Sequence, residues 1–265
     1  MVETVNEIIK SLGISPVPST VSDPMEQARR RVKGFNTVPG TLTGYDCPVC
    51  LNRGYSFFVD DLGHEMTRDC SCMKIRRARR RIARSGLADM LTRYTFETWQ
   101  TPEPWQKAAL ELAQQYARDR EGWFLAAGHS GTGKTHLCTA ICGALLDVGV
   151  DVRYMLWRDV SVQAKAVAND AEEYARIVDP LKVVDLLYID DLFKAGTVPT
   201  AADVNLVFEI INARYNDSGK LTIISTERGL DELLSIDEAI GSRIYERCRL
   251  YYLDFGGRAN WRLKK

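Results

Sequence analysis

The 265-residue chain is 45% hydrophobic and 26% charged, with 35 basic and 35 acidic side chains; it has material for a buried core, and its balance excludes a histone-like, wholly basic nucleic-acid binder. No apolar run approaches the roughly 20 residues needed to cross a bilayer. The opening MVETVNEIIKSLG has acids where a signal peptide carries a basic segment and an apolar stretch, so a cytoplasmic chain without membrane contact is expected.

Charge is distributed unevenly: residues 1–100 hold 15 basic and 11 acidic side chains, residues 101–265 hold 20 and 24. Residues 1–46, with Pro16, Pro18, Pro24 and Pro39 and one charged helical stretch, MEQARRRVKGF, read as a loosely built leader. Residues 47–72 form a second segment, in which Cys47, Cys50, Cys70 and Cys72 flank the apolar patch GYSFFVDDLG. The spacing approximates a zinc ribbon, and a segment this short has little core without a metal. Four protein ligands leave no open position, so the zinc is expected to be structural. The second pair is one residue tight, which leaves His64 open as an alternative fourth ligand.

Residues 73–84, MKIRRARRRIAR, hold seven Lys/Arg in twelve positions and predict a basic helix. Three readings of it stay open: contact with single-stranded DNA through phosphates, docking to an acidic protein surface, or a solvated face between domains. A linker follows to residue 100. Its Phe96 and Trp99, with Trp105 beyond, are read as packing on the next domain, with adenine contact as the alternative.

From residue 101 to the end, a helical stretch (105–120) leads into apolar strands alternating with helices. The strands are 123–127, 152–156, 183–190, 221–226 and 250–255, and the pattern predicts a five-stranded parallel sheet with helices on both faces, an α/β fold. Cys138, Cys142 and Cys248 are expected as core thiols. Only one helix, over 236–248, and one strand are expected after the fourth strand, which leaves no room for a helical lid.

Gly128-His129-Ser130-Gly131-Thr132-Gly133-Lys134-Thr135 matches G-x-x-x-x-G-K-[ST] between a strand and a helix. Its backbone N–H groups converge on a phosphate, Lys134 reaches the β- and γ-phosphates of ATP, and the Thr135 hydroxyl ligates magnesium. In VVDLLYIDDLF a buried strand ends in Asp190, placed to hold the magnesium shell, and Asp191, placed to orient an attacking water. The strand LTIIST brings Thr226 or Glu227 beside them, an arrangement that suggests a hydrolytic ATPase.

In this order and spacing, GHSGTGKTHL, LLYIDDLF, EIINARYN, LTIISTE and AIGSRIYERCRL resemble the replicative-helicase loaders of the DnaC/DnaI type, AAA+ ATPases related to the transposition helper IstB. The cysteine cluster, basic helix and YTFETW extend the resemblance into the front half. It implies an AAA+ sheet without the C-terminal lid and self-association into a ring or spiral. It further implies a DnaB-type helicase and single-stranded DNA as partners. It assigns an arginine finger to Arg247, with Arg243 as second candidate, and a sensor-2-like role to Arg262. Two departures, Glu227 where the family has asparagine and Asp191 where it has glutamate, imply slow hydrolysis. Two rival functions are an IstB-like transposition helper and a zinc-dependent DNA-binding regulator with a nucleotide-sensing P-loop.

Overall fold

The computed structural model describes residues 23–82 and 87–263, without the side chains of Arg81 and Arg262. The first 22 residues of the leader, the end of the basic stretch and the Arg262 side chain therefore lie outside the described residues. The chain divides into two compact units between Ser71 and Cys72.

In the first unit, α1 (Pro24–Thr37) starts where Asp23 accepts the Met25 N–H at 3.0 Å and Pro24 opens the helix, a good N-terminal combination. It buries Ala28 and Val32. The apolar patch folds into an antiparallel hairpin of β1 (Tyr55–Val59) and β2 (Glu65–Asp69). Asn36 fixes helix to hairpin: its side chain donates to the Phe57 carbonyl at 2.9 Å and accepts the Phe57 N–H at 3.1 Å, as a neighbouring strand would.

The second unit opens with the basic helix α2 (Cys72–Ile82) and a short helix, α3 (Ala88–Arg93), which lies where the sequence suggested only linker. Helix α2 is amphipathic: Ile75, Ala78 and Ile82 are buried, and Ala78 and Ile82 join the core under the sheet. Arg79 pairs with Asp147. Lys74, Arg77 and Arg80, three residues apart and so on one stripe, are exposed.

Beyond these come α4 (Pro104–Asp119), β3 (Trp123–Ala127), α5 (Lys134–Asp147), β4 (Val152–Leu156), α6 (Trp157–Ala166) and α7 (Ala171–Val183). They are followed by β5 (Leu186–Leu192), α8 (Ala201–Tyr215), β6 (Leu221–Thr226), α9 (Leu230–Ile236), α10 (Glu238–Cys248) and β7 (Tyr252–Asp254). The sheet order is β4-β5-β6-β3-β7, with every pairing parallel. Successive residues of each strand point to opposite faces. Phe124, Tyr188 and Ile223 therefore join one core cluster with Leu137 and Ile141 of α5, while Leu125, Leu187 and Ile224 join another with Ile210 of α8 and Ile244 of α10. Cys138, Cys142 and Cys248 are buried free thiols.

Two expected boundaries move. The strand expected from 183 starts at Leu186, because Val183 still ends α7. The helix expected over 236–248 runs from Glu238 to Cys248, because Asp237 is extended and caps α10 by accepting the Ile240 N–H at 2.8 Å; a further helix, α9, precedes it where none was expected. Arg214 closes the bottom of this core. Fully buried, it donates to Thr222 Oγ1 at 3.0 Å and to the Leu181 and Val184 carbonyls at 2.9 Å each, serving the end of α7. Burial lowers its pKa to about 10, so it stays charged at neutral pH.

Candidate nucleotide site and cysteine cluster

Strand β3, interior in the sheet between β6 and β7, ends at the glycine loop, which leads into the N-terminus of α5. Gly131 and Gly133 have φ of +76° and +100°, a region open to glycine at little cost. A Cβ on Gly133 would also lie 2.6 Å from the Trp99 ring. Ser130, Gly131, Thr132, Gly133, Lys134 and Thr135 line a cavity of about 440 Å³ together with Asp191, Lys194 and Glu227, within the range of a small-ligand site. Tyr94, Trp99, Gln106 and His136 line it too. The Trp99 indole donates to the Gln106 carbonyl at 3.0 Å, and Tyr94 and His136 stack with centroids 4.9 Å apart.

Lys134 is nearly buried and donates to the carbonyls of Gly128 at 2.7 Å and His129 at 2.8 Å. Burial lowers its pKa, against the pull of Glu227, Asp191 and Asp190. A buried ammonium resting on neutral carbonyls is poised to take an anion. Gly128 is not on the cavity wall; it supplies this resting place.

The two acids of β5 are turned toward one site by a bulge. The β5–β6 register shifts between Ile189 and Leu192, and Asp191 takes φ +56°, so its backbone N–H reaches Ser225 Oγ at 3.0 Å. A regular strand would send neighbouring side chains to opposite faces. Instead Asp191 faces the cavity, while Asp190 lies beneath it with an oxygen 3.5 Å from Thr135 Oγ1. Burial first, then the charges of Asp190 and Glu227, raise the Asp191 pKa.

Several expected site residues lie elsewhere. Thr226 is buried, and its hydroxyl donates to the Leu192 carbonyl at 2.7 Å, tying strand ends together; Glu227 alone of that pair lines the cavity. Arg243 and Arg247 do not line it. Arg243 stacks on Phe208 and Tyr215, and Arg247 lies over Trp123 and donates to the Ser218 carbonyl at 3.2 Å. Phe96 and Trp105 pack on the core, whereas Trp99 both packs there and lines the cavity. Tyr94, His136 and Lys194 were not singled out in the sequence. His136 directly follows the motif, but nothing local reveals that α5 turns it toward the linker.

The four sulfurs of Cys47, Cys50, Cys70 and Cys72 are buried and lie within 4.8 Å of one another. Zn–S bonds near 2.3 Å in a tetrahedron separate sulfurs by about 3.8 Å; Cys47 and Cys70 Sγ are 3.7 Å apart. The Gly54 N–H points at Cys50 Sγ at 3.3 Å, a contact that favours thiolate. The set fits zinc. His64 is not part of it: the hairpin turn carries it outward, where it is exposed and bonds Asp60 at 3.1 Å.

A glycine loop at the end of an interior parallel strand, with a buried aspartate two strands away in the sheet, defines an ATP-binding P-loop protein of the AAA+ class. The chain belongs to the family of IstB-like ATP binding proteins, whose model matches residues 52–249. It is 30% identical over 252 residues to the phage-like element PBSX protein XkdC of Bacillus subtilis strain 168, covering 90% of this chain and 93% of that one. It is 28% identical over 189 residues to the replicative helicase loader DnaC of Escherichia coli K12, covering 70% and 74%. A crystal structure of the DnaC helicase loader shares the fold, with TM-score 0.54 and 22% identity over 62% of this chain and 96% of that one. The resemblance to DnaC-type loaders read from the motifs therefore holds.

Proposed function

We propose that this chain is an ATP-dependent loader that places a replicative DNA helicase of the DnaB type on single-stranded DNA. The observation that carries it is the division of the ATP chemistry: cavity, lysine and acids on one side of the chain's motifs, and two arginines of α10 that do not line the cavity. In this reading the site is completed by a neighbouring copy. Magnesium, held by Thr135 and Asp190, would supply charge neutralisation at the phosphates. Lys134 binds the β/γ-phosphates, Asp191 and Glu227 orient water, and Arg247 of the next copy, with Arg243 and Arg262 in supporting roles, stabilises the transferring group. ATP held between copies keeps a ring or spiral that grips helicase and DNA, and hydrolysis releases it. Similarity to DnaC-type loaders supports this reading. The family match also leaves a transposition helper as second reading, which a helicase-binding experiment separates.

Mixing variants tests the shared site. Arg247→Ala should bind ATP normally through its own Lys134 and Thr135 but turn over more slowly; such arginines are worth about 10³–10⁵ in GTPases, and a smaller factor is expected beside Asp191 and Glu227. Adding inactive Lys134→Ala chains should restore part of the phosphate release. An Arg247→Ala variant as active as the parent, or a mixture that stays dead, contradicts the assignment.

The stripe of Lys74, Arg77 and Arg80 forms no ion pair among the described residues and is assigned to the DNA backbone. Replacing all three by alanine should weaken single-stranded DNA binding and lower the magnitude of its log–log salt slope by about 2, at roughly 0.7 per phosphate contact. Fluorescence anisotropy across a salt series measures it; an unchanged slope with lost helicase binding would move the stripe to the protein partner.

A further inference from the structure

Asp190 is buried, with 5% of its surface exposed, and its carboxylate is gripped by hydroxyls from three strands. Tyr188 on β5 donates to Oδ1 at 2.7 Å, Ser225 on β6 donates to the same oxygen, and Tyr154 on β4 donates to Oδ2 at 3.1 Å. Sheet register explains the convergence. Tyr154 pairs with Tyr188 and Leu156 with Asp190, so Tyr188 precedes Asp190 on the same face, and Tyr154 sits directly across from Tyr188 and diagonally across from Asp190. The two rings meet edge-on with centroids 5.3 Å apart. Ser225 accepts the Asp191 N–H, which directs its own proton onto Asp190.

We infer that Tyr154, Tyr188 and Ser225 are positioning residues that lock Asp190 in the orientation in which Oδ1 faces Thr135. A buried carboxylate without donors would be costly and free to turn. With Tyr188 and Ser225 on Oδ1, the Thr135 hydroxyl stands at 3.5 Å, too far for a strong bond, and stays available to a metal. The inference rests on the reading of Thr135 and Asp190 as the magnesium pair.

The test measures Mn²⁺ affinity of the ADP-bound full chain by electron paramagnetic resonance, ADP affinity in EDTA, and Tm, for Tyr188→Phe, Tyr154→Phe and Asp190→Asn. Groups that orient metal ligands are worth about 10- to 100-fold in metal affinity. Each Tyr→Phe change should weaken Mn²⁺ binding by that order while ADP affinity in EDTA holds. Tyr154 is only half-buried on the edge strand, so its variant serves if Tyr188→Phe fails to fold. Tyr→Phe variants with lowered Tm but parental Mn²⁺ affinity, beside an Asp190→Asn chain that loses it, overturn the positioning role alone. If Asp190→Asn also keeps Mn²⁺, the magnesium reading fails first and takes the inference with it.

Discussion

Lys134→Ala is expected to lose ATP binding while leaving the fold in place. In the free chain the ammonium is satisfied by two loop carbonyls, and it has to leave them for the phosphates, so the substitution removes the one cation among the motif residues of the cavity. Truncating one partner of a buried, hydrogen-bonded charge pair costs about 2–5 kcal/mol, a loss of roughly 30-fold to several thousand-fold in affinity. Asp190→Asn should instead spare metal-free binding and remove magnesium-dependent turnover. Calorimetric titration with ATP and a phosphate-release assay on both variants check this; a Lys134→Ala chain that binds ATP like the parent displaces the site.

The second large effect is expected at the cysteines. Cys50→Ser, or exhaustive chelation, should unfold roughly residues 47–72 and leave the P-loop unit able to bind ATP. Structural zinc supplies about 10–16 kcal/mol of apparent binding energy in small peptides, whereas this hairpin leaves all five β2 residues exposed and buries none of β1 fully. Besides the thiolates it is held by Asn36 on the Phe57 backbone, the Phe35–Phe57 ring contact and the Arg31–Glu65 ion pair. Elemental analysis should find one zinc per chain in protein purified without chelator, unchanged by His64→Ala, since His64 bonds Asp60 and not the cluster. Protein free of zinc with an intact hairpin contradicts the metal assignment.

The phosphate loop was legible because its signal is local: glycine spacing, a strand before and a helix after. Asp190 and Asp191 were legible for the same reason. Their shared orientation was not, since it depends on a bulge set by Ser225 on another strand. Tyr188 could be read as facing the same way as Asp190 from alternation along β5. Tyr154 could not, because only the pairing of β4 with β5 brings it there. The burial of Thr226 was not legible either, since its hydroxyl bonds the Leu192 carbonyl on another strand. The basic helix showed its charge in the sequence, but the burial of Ile75, Ala78 and Ile82, which fixes the exposed stripe, needed the packed core.

The central claim is tested most directly by binding the purified full chain to the purified replicative helicase of the organism that carries it, with ATP, with ADP and with Lys134→Ala, followed by transfer of the helicase to single-stranded DNA. A nucleotide-dependent complex that places the helicase on DNA, and that Lys134→Ala cannot form or resolve, is the predicted result. A chain that hydrolyses ATP yet ignores the helicase in every nucleotide state would contradict it.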